Sequence, residues 1–143
     1  MFHSTKGSIY RVILAIFIGF AFCFALTWPQ YAKYRNGKRL NQAAQLGRAL
    51  AFAEGSYKQQ HGSYTPYFQR LDVSFPSCLT VNNGQGPHLD CPDYTFQLEE
   101  NNLIRISHKQ LPVWLEVYIE EGNVLCKHPE NDWAGQDLCA RMQ

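Results

Sequence analysis

The sequence predicts an α+β fold. A long, kinked amino-terminal helix, membrane-spanning in its first half, is expected to pack on a four-stranded antiparallel sheet finished by a disulfide-closed carboxyl-terminal loop. Three observations predict it. Residues 12–28, VILAIFIGFAFCFALTW, are seventeen positions without a charge. Apolar residues recur at helical steps of three or four from Leu40 and then at the strand period of two from Tyr94. Beyond the apolar run lie Cys78, Cys91, Cys126 and Cys139.

The apolar run comes first because it limits everything after it. At about 1.5 Å per residue it covers about 26 Å. With Ile9 and Tyr10 added it reaches across a hydrocarbon core of about 30 Å, and it is too long for the apolar part of a secretory signal. In 143 residues there is room for such an anchor and one small domain, whereas one small globule could not bury the apolar block as well as its own core. Charge divides the chain in the same way. Residues 1–61 hold eight Lys or Arg and one acid, Glu54, and residues 62–143 hold five and eleven, giving +7 and −6. A basic half beside an anchor faces anionic lipid or the acidic half of another copy.

The helix is expected over about residues 9–60. Leu40, Ala43, Leu46, Leu50, Ala53 and Tyr57 fall on one stripe, flanked by the small residues Ala44, Gly47 and Ala51. Pro29 removes a backbone donor and predicts a kink, Asn36-Gly37 weakens the helix again, and Gly62 is placed to end it in the left-handed conformation. From 63 to 93 the signals are turns, among them Phe75-Pro76, Asn82-Asn83-Gly84 and Gly86-Pro87. Strands are then expected on the alternations around Tyr94-Phe96-Leu98, Ile104-Ile106 and Val113-Leu115-Val117-Ile119, with a short fourth at 124–127. Trp114 and Tyr118 fall on the polar face, either under the terminal loop or in an exposed patch. A loop over 128–143 closes the chain.

The fifth cysteine, Cys23, lies inside the apolar run. An even number outside it, in so small a domain, reads as two disulfides in an oxidising compartment. Three connectivities exist. The sequence-local one, Cys78 with Cys91 and Cys126 with Cys139, is preferred because it ties down two turn-rich segments. Lys33, Arg35, Lys38 and Arg39 outnumber Lys6 and Arg11 on the other flank, which by charge bias alone would keep the carboxyl half in the cytoplasm. The cysteines outweigh that bias, since disulfides require export.

Several residues together resemble the type IV pilins and the type II secretion pseudopilins. They are the short leader ending in Lys6-Gly7, the apolar helix that begins at once, Pro29-Gln30-Tyr31 followed by Lys33 and Arg35, the helix end from Glu54 to Tyr64 running into Leu71-Asp72, and the Cys126 to Cys139 loop. The resemblance implies a leader at 1–7, a transmembrane half-helix at 8–29, an amphipathic half at 30–61 and a globular head at 62–143. It implies cleavage between Gly7 and Ser8 by a prepilin peptidase, methylation of the new terminus, and a protein of the inner membrane with a periplasmic head that enters a cell-surface filament. The implied partners are other pilin subunits, the peptidase and the assembly platform. Two positions depart from the pattern: Ser8 stands where Phe is usual, and Val12 where the family carries a Glu that neutralises a neighbour's terminal amine in a lipid environment. With Arg11 alongside, these departures point to a minor or atypical subunit. The alternative is a permanently anchored periplasmic module that binds a partner through its long loop or its sheet.

Other chemistry is thinly represented. His61, His88, His108 and His128 match no HExxH or nucleophile-elbow setting, so no enzyme activity and no catalytic residue is expected. Neither a metal nor another cofactor is expected: Cys126-Lys127-His128 and His88 with Cys91 lack a matching second ligand pair, and Asp90 and Asp93 lie in no calcium-loop pattern. Nucleic acid is a weaker reading of the cations between Lys33 and Arg48 than lipid or subunit contact.

Overall fold

The computed structural model describes residues 5–75, 77–84 and 86–142, with residues 5–8 as backbone only. Residues 1–4 of the expected leader and Pro76 of the Phe75-Pro76 turn therefore lie outside the described residues. Thr5–His61 forms one α-helix of 57 residues, α1. Pro29, where a kink is expected, does not interrupt it. The helix ends at Gly62, which takes φ 82° and donates its N–H to the Lys58 carbonyl at 2.7 Å, a left-handed cap suited to a residue without Cβ. The chain divides into two compact units, Met1–Asn36 and Gly37–Gln143. The boundary falls at the weak helix-forming pair Asn36-Gly37.

In the carboxyl-terminal unit the rest of α1 covers a sheet. A 3₁₀ turn at Phe68–Arg70 buries Phe68. Six strands then follow: β1 (Leu79–Asn83), β2 (Gly86–Asp90), β3 (Tyr94–Glu99), β4 (Leu103–His108), β5 (Trp114–Tyr118) and β6 (Val124–Lys127). They pair in chain order, each antiparallel to the next. The expected four-stranded sheet is thus corrected to six strands. The two additional strands are a hairpin inside the segment read as turns. Asn83-Gly84 at its tip is a hairpin signal, and Gly86 takes φ 93°. Of the ten hairpin residues only Leu89 is fully buried, so no apolar alternation betrayed it. The expected terminal loop is also corrected, because it contains α2 (Trp133–Ala140). Asp132 caps α2 by accepting the N–H groups of Ala134 and Gly135.

The register explains the core. Leu89, Phe96, Ile106, Leu115 and Cys126 lie side by side across five strands, and Leu98, Ile104, Val117 and Val124 form the next row. Against them α1 buries Leu40, Ala43, Ala44, Gly47, Leu50, Ala51 and Glu54. This stripe is shifted from the expected one. The small residues expected as flanks form its centre, while Leu46, Ala53 and Tyr57 are only partly buried. The reason is close approach: a Cβ on Gly47 would stand 2.5 Å from Ile106 Cδ1 and 2.9 Å from Val117 Cγ2. The other face of the sheet is polar. Arg105 pairs with Glu99 at 2.9 Å, and Trp114 donates to Glu116 at 3.1 Å. Trp114 and Tyr118 are half-buried on this face.

Candidate functional site

The residues with the plainest functional demand are those of the amino-terminal unit. Every side chain from Ile9 to Tyr31 is exposed, and the helix has a window of mean hydropathy 2.4 with none of it buried. It is long and apolar enough to cross a membrane. No described residue of the unit covers it. Phe24 and Trp28 pack ring against ring at 5.4 Å, and Thr27 turns its hydroxyl inward to the Cys23 carbonyl at 2.9 Å, which removes its polar atom from the apolar surface. Cys23 is exposed with a free thiol. Gly7 and Ser8, the expected processing site, lie in the first turns of α1, and their side chains are outside the described residues. Val12 is exposed.

The cysteines are joined as Cys78–Cys91 and Cys126–Cys139. The first pair bridges the approach to β1 and the exit of β2, and the second ties β6 to α2. Among the described residues no group of three or more His, Cys, Asp or Glu side chains is placed to hold a metal ion.

Two further features were not singled out from the sequence. A groove of about 930 Å³ runs between α1 and the segment after the 3₁₀ turn, lined by Phe52, Ala53, Tyr57, His61, Leu71 and Val73 among others. Phe52 is 80 % exposed, and Tyr57 and His61 stack at 4.1 Å. The groove's far wall comes from the turn-rich segment, whose course no periodicity gives.

The second feature is Glu54, which is fully buried. Its Oε2 accepts the Thr65 N–H at 3.0 Å, and its Oε1 has no hydrogen-bond partner among the described residues. Burial raises its pKa above the ordinary carboxylate range, opposed by the Thr65 N–H. Thr65 Oγ1 in turn accepts from the Tyr67 N–H at 3.2 Å, so the carboxylate fastens the chain leaving α1 back onto the helix. The available signal was its position: an acid three residues after Ala51 and four after Leu50, on the buried stripe.

A cluster of titratable groups joins α1 to the sheet. Arg39 meets Asp93 at 3.0 Å, and Tyr94 packs edge-on against His108 at 4.8 Å. Lys109 meets Asp90 at 2.7 Å. The Tyr94 hydroxyl is buried without a partner among the described residues, and burial, with Asp93 assisting and Arg39 opposing, pushes its pKa up to about 12. His108 Nδ1 accepts the N–H groups of Gln110 and Leu111, both at 3.0 Å, which places the ring proton on Nε2. Burial lowers its pKa, with Asp93 raising it and Arg39 lowering it further. Such a cluster binds α1 to β3 and β4, and no member has the nucleophile-and-base pairing of a catalytic site. Comparison with family models, with curated proteins and with solved structures gives no match.

Proposed function

We propose that this chain is a structural subunit of a type IV pilus or a related secretion pseudopilus, minor or atypical in its assembly. It is held in the inner membrane with a periplasmic head, and enters its filament through the amino-terminal helix. What supports the reading above all is the character of α1, a single 57-residue helix. From Ile9 to Tyr31 it offers an uncovered apolar surface, and from Gly37 it serves as the core helix of an antiparallel, disulfide-bonded domain. A surface of that kind demands either lipid or the apolar helices of neighbouring subunits, and a filament exchanges one for the other. The acidic domain and the basic helix then give neighbouring copies complementary charge. The partners are other subunits, the prepilin peptidase and the assembly platform.

Mass spectrometry of the protein from cells with and without the prepilin peptidase tests this. The expected result is an amino terminus at Ser8, methylated, only where the peptidase is present. An amino terminus at Met1 in both would count against it. The groove beside Phe52 favours a second reading, a permanently anchored periplasmic module that binds a partner there. Recovery of the protein in sheared surface filaments would exclude a permanent anchor.

A further inference from the structure

We propose that Glu54 is a pH-operated latch on the loop at residues 62–67, closed while its carboxyl is protonated and opened when it ionises. The loop joins the two walls of the groove beside Phe52: it leaves α1 after Tyr57 and His61 of one wall and returns before Leu71 and Val73 of the other. Both of its ends are defined. Gly62, at φ 82°, lacks the Cβ that would stiffen the turn out of the helix, and Phe68 is fixed in the apolar core. Between them the loop is drawn back onto α1 at Thr65, which is buried and gives its N–H to Glu54 Oε2 at 3.0 Å. Thr65 Oγ1 then accepts the Tyr67 N–H at 3.2 Å, so the attachment reaches the end of the loop.

The latch responds to pH because the two oxygens of one buried carboxyl are served unequally. Oε2 holds the Thr65 N–H, while Oε1 is buried without a hydrogen-bond partner among the described residues. A neutral carboxyl bears this at modest cost, but an ionised one leaves a buried negative charge short of donors, which costs far more. Swinging the loop away admits water to Oε1 and removes that cost, so ionisation favours the open loop. Closure in turn holds the proton, in keeping with the upward pKa shift that burial causes against the opposing Thr65 N–H. The titratable groups on the surrounding elements are engaged with one another. Lys58 of α1 donates to the Tyr64 hydroxyl of the loop at 3.1 Å and meets Glu120, between β5 and β6, at 3.3 Å. Tyr57 stacks on His61 at 4.1 Å, and Arg70 lies over the Tyr67 ring at 5.1 Å. The sheet rows beneath α1 carry no charged side chain. Only burial and the Thr65 N–H move the Glu54 pKa, so none of these groups supplies the ionised carboxylate with a counter-charge.

Hydrogen exchange of the full chain in detergent, followed amide by amide from acid to mildly alkaline pH and corrected for the intrinsic exchange rate, tests this. Protection of the Thr65 amide is expected to fall as pH rises from 4.5 through the folded pKa of Glu54, by about tenfold per pH unit, and then to level off. In Glu54→Gln, which keeps an oxygen for the Thr65 N–H and has nothing to ionise, the corrected protection is expected to stay flat. The Lys58→Gln, Glu120→Gln variant is expected to keep the native fall. A Glu54→Gln profile parallel to the native one, or a native protection that rises with pH, overturns the proposal. So does an equal fall across β3 and β4 in the native chain, which would assign the change to global unfolding. Loss of the fall in Lys58→Gln, Glu120→Gln overturns it as well, by moving the switch to that ion pair.

Discussion

Glu54 and His108 show how two buried titratable residues place opposite demands on pH. The Glu54 carboxyl has its folded pKa raised from 4.5, so the fold binds its proton more tightly than the unfolded chain does. Its contribution is greatest in acid and is lost as pH rises from 4.5 through the folded pKa. Glu54→Gln keeps an oxygen for the Thr65 N–H and removes the buried charge. Urea unfolding is expected to show this variant more stable than the native protein at neutral pH, on the order of 1 kcal/mol, with the advantage vanishing in acid. Glu54→Leu leaves the Thr65 N–H unpaired and is expected to lose about 1–3 kcal/mol. His108 has the reverse sign. Its folded pKa is lowered from 6.5, so the fold favours the neutral ring, and its contribution is complete above pH 6.5 and declines as pH falls below it. Protonation at Nδ1 also severs the acceptor of Gln110 and Leu111. Unfolding of His108→Ala should be about 1 kcal/mol easier at neutral pH and should lack the decline that the native protein shows below pH 6.5. A native-like slope in the variant would assign that decline elsewhere.

At the scale of elements the same helix carries two glycines with opposite expected responses. Gly47 faces Ile106 and Val117 within 3 Å of where a Cβ would stand, and Gly55 meets nothing within 4 Å. Alanine at either gains about 0.5–1 kcal/mol of helix preference, but at Gly47 overpacking costs about 1–3 kcal/mol. Gly55→Ala is therefore expected to raise the unfolding midpoint and Gly47→Ala to lower it; a stabilised Gly47→Ala would mean that α1 and the sheet are further apart than described. These two glycines also show what the sequence discloses. The strands from Tyr94 onward were legible because their inward residues alternate without exception in β5, and α1 was legible because its apolar steps hold over many turns. The contact line on α1 was not, since the leucines that dominate the apolar pattern lie to one side and the small residues make the closest approach. The hairpin of β1 and β2 was hidden because a half-exposed strand needs no apolar alternation, and Pro87 argues locally against a strand. Glu54 was visible as a residue and not as a site, because its partner Thr65 belongs to a segment without periodicity.

Across the whole molecule the two disulfides fasten the parts that the apolar core holds least: the hairpin at one edge of the sheet and α2 beyond the other. Each spans a sequence separation of 13, so loop closure in the unfolded chain contributes nearly equally, about 3 kcal/mol apiece. Their folded surroundings differ. Cys91 belongs to the buried core beside Tyr94 and Phe96, whereas Cys126 and Cys139 are only partly buried. Cys78→Ala with Cys91→Ala therefore loses packing as well as the cross-link, and is expected to destabilise by about 1 kcal/mol more than Cys126→Ala with Cys139→Ala. The second pair should have a local consequence instead. Without the Cys126–Cys139 bridge, α2 loses its covalent tie to β6 while keeping the burial of Gly135 and Leu138 and its Asp132 cap, so its amides should exchange with solvent well before those of β3 and β4. Urea unfolding of the full chain in detergent, followed by hydrogen exchange on each variant, measures both effects. Equal destabilisation would show that loop entropy alone governs the pair, and protection of α2 unchanged in Cys126→Ala, Cys139→Ala would show that its apolar contact with the sheet suffices.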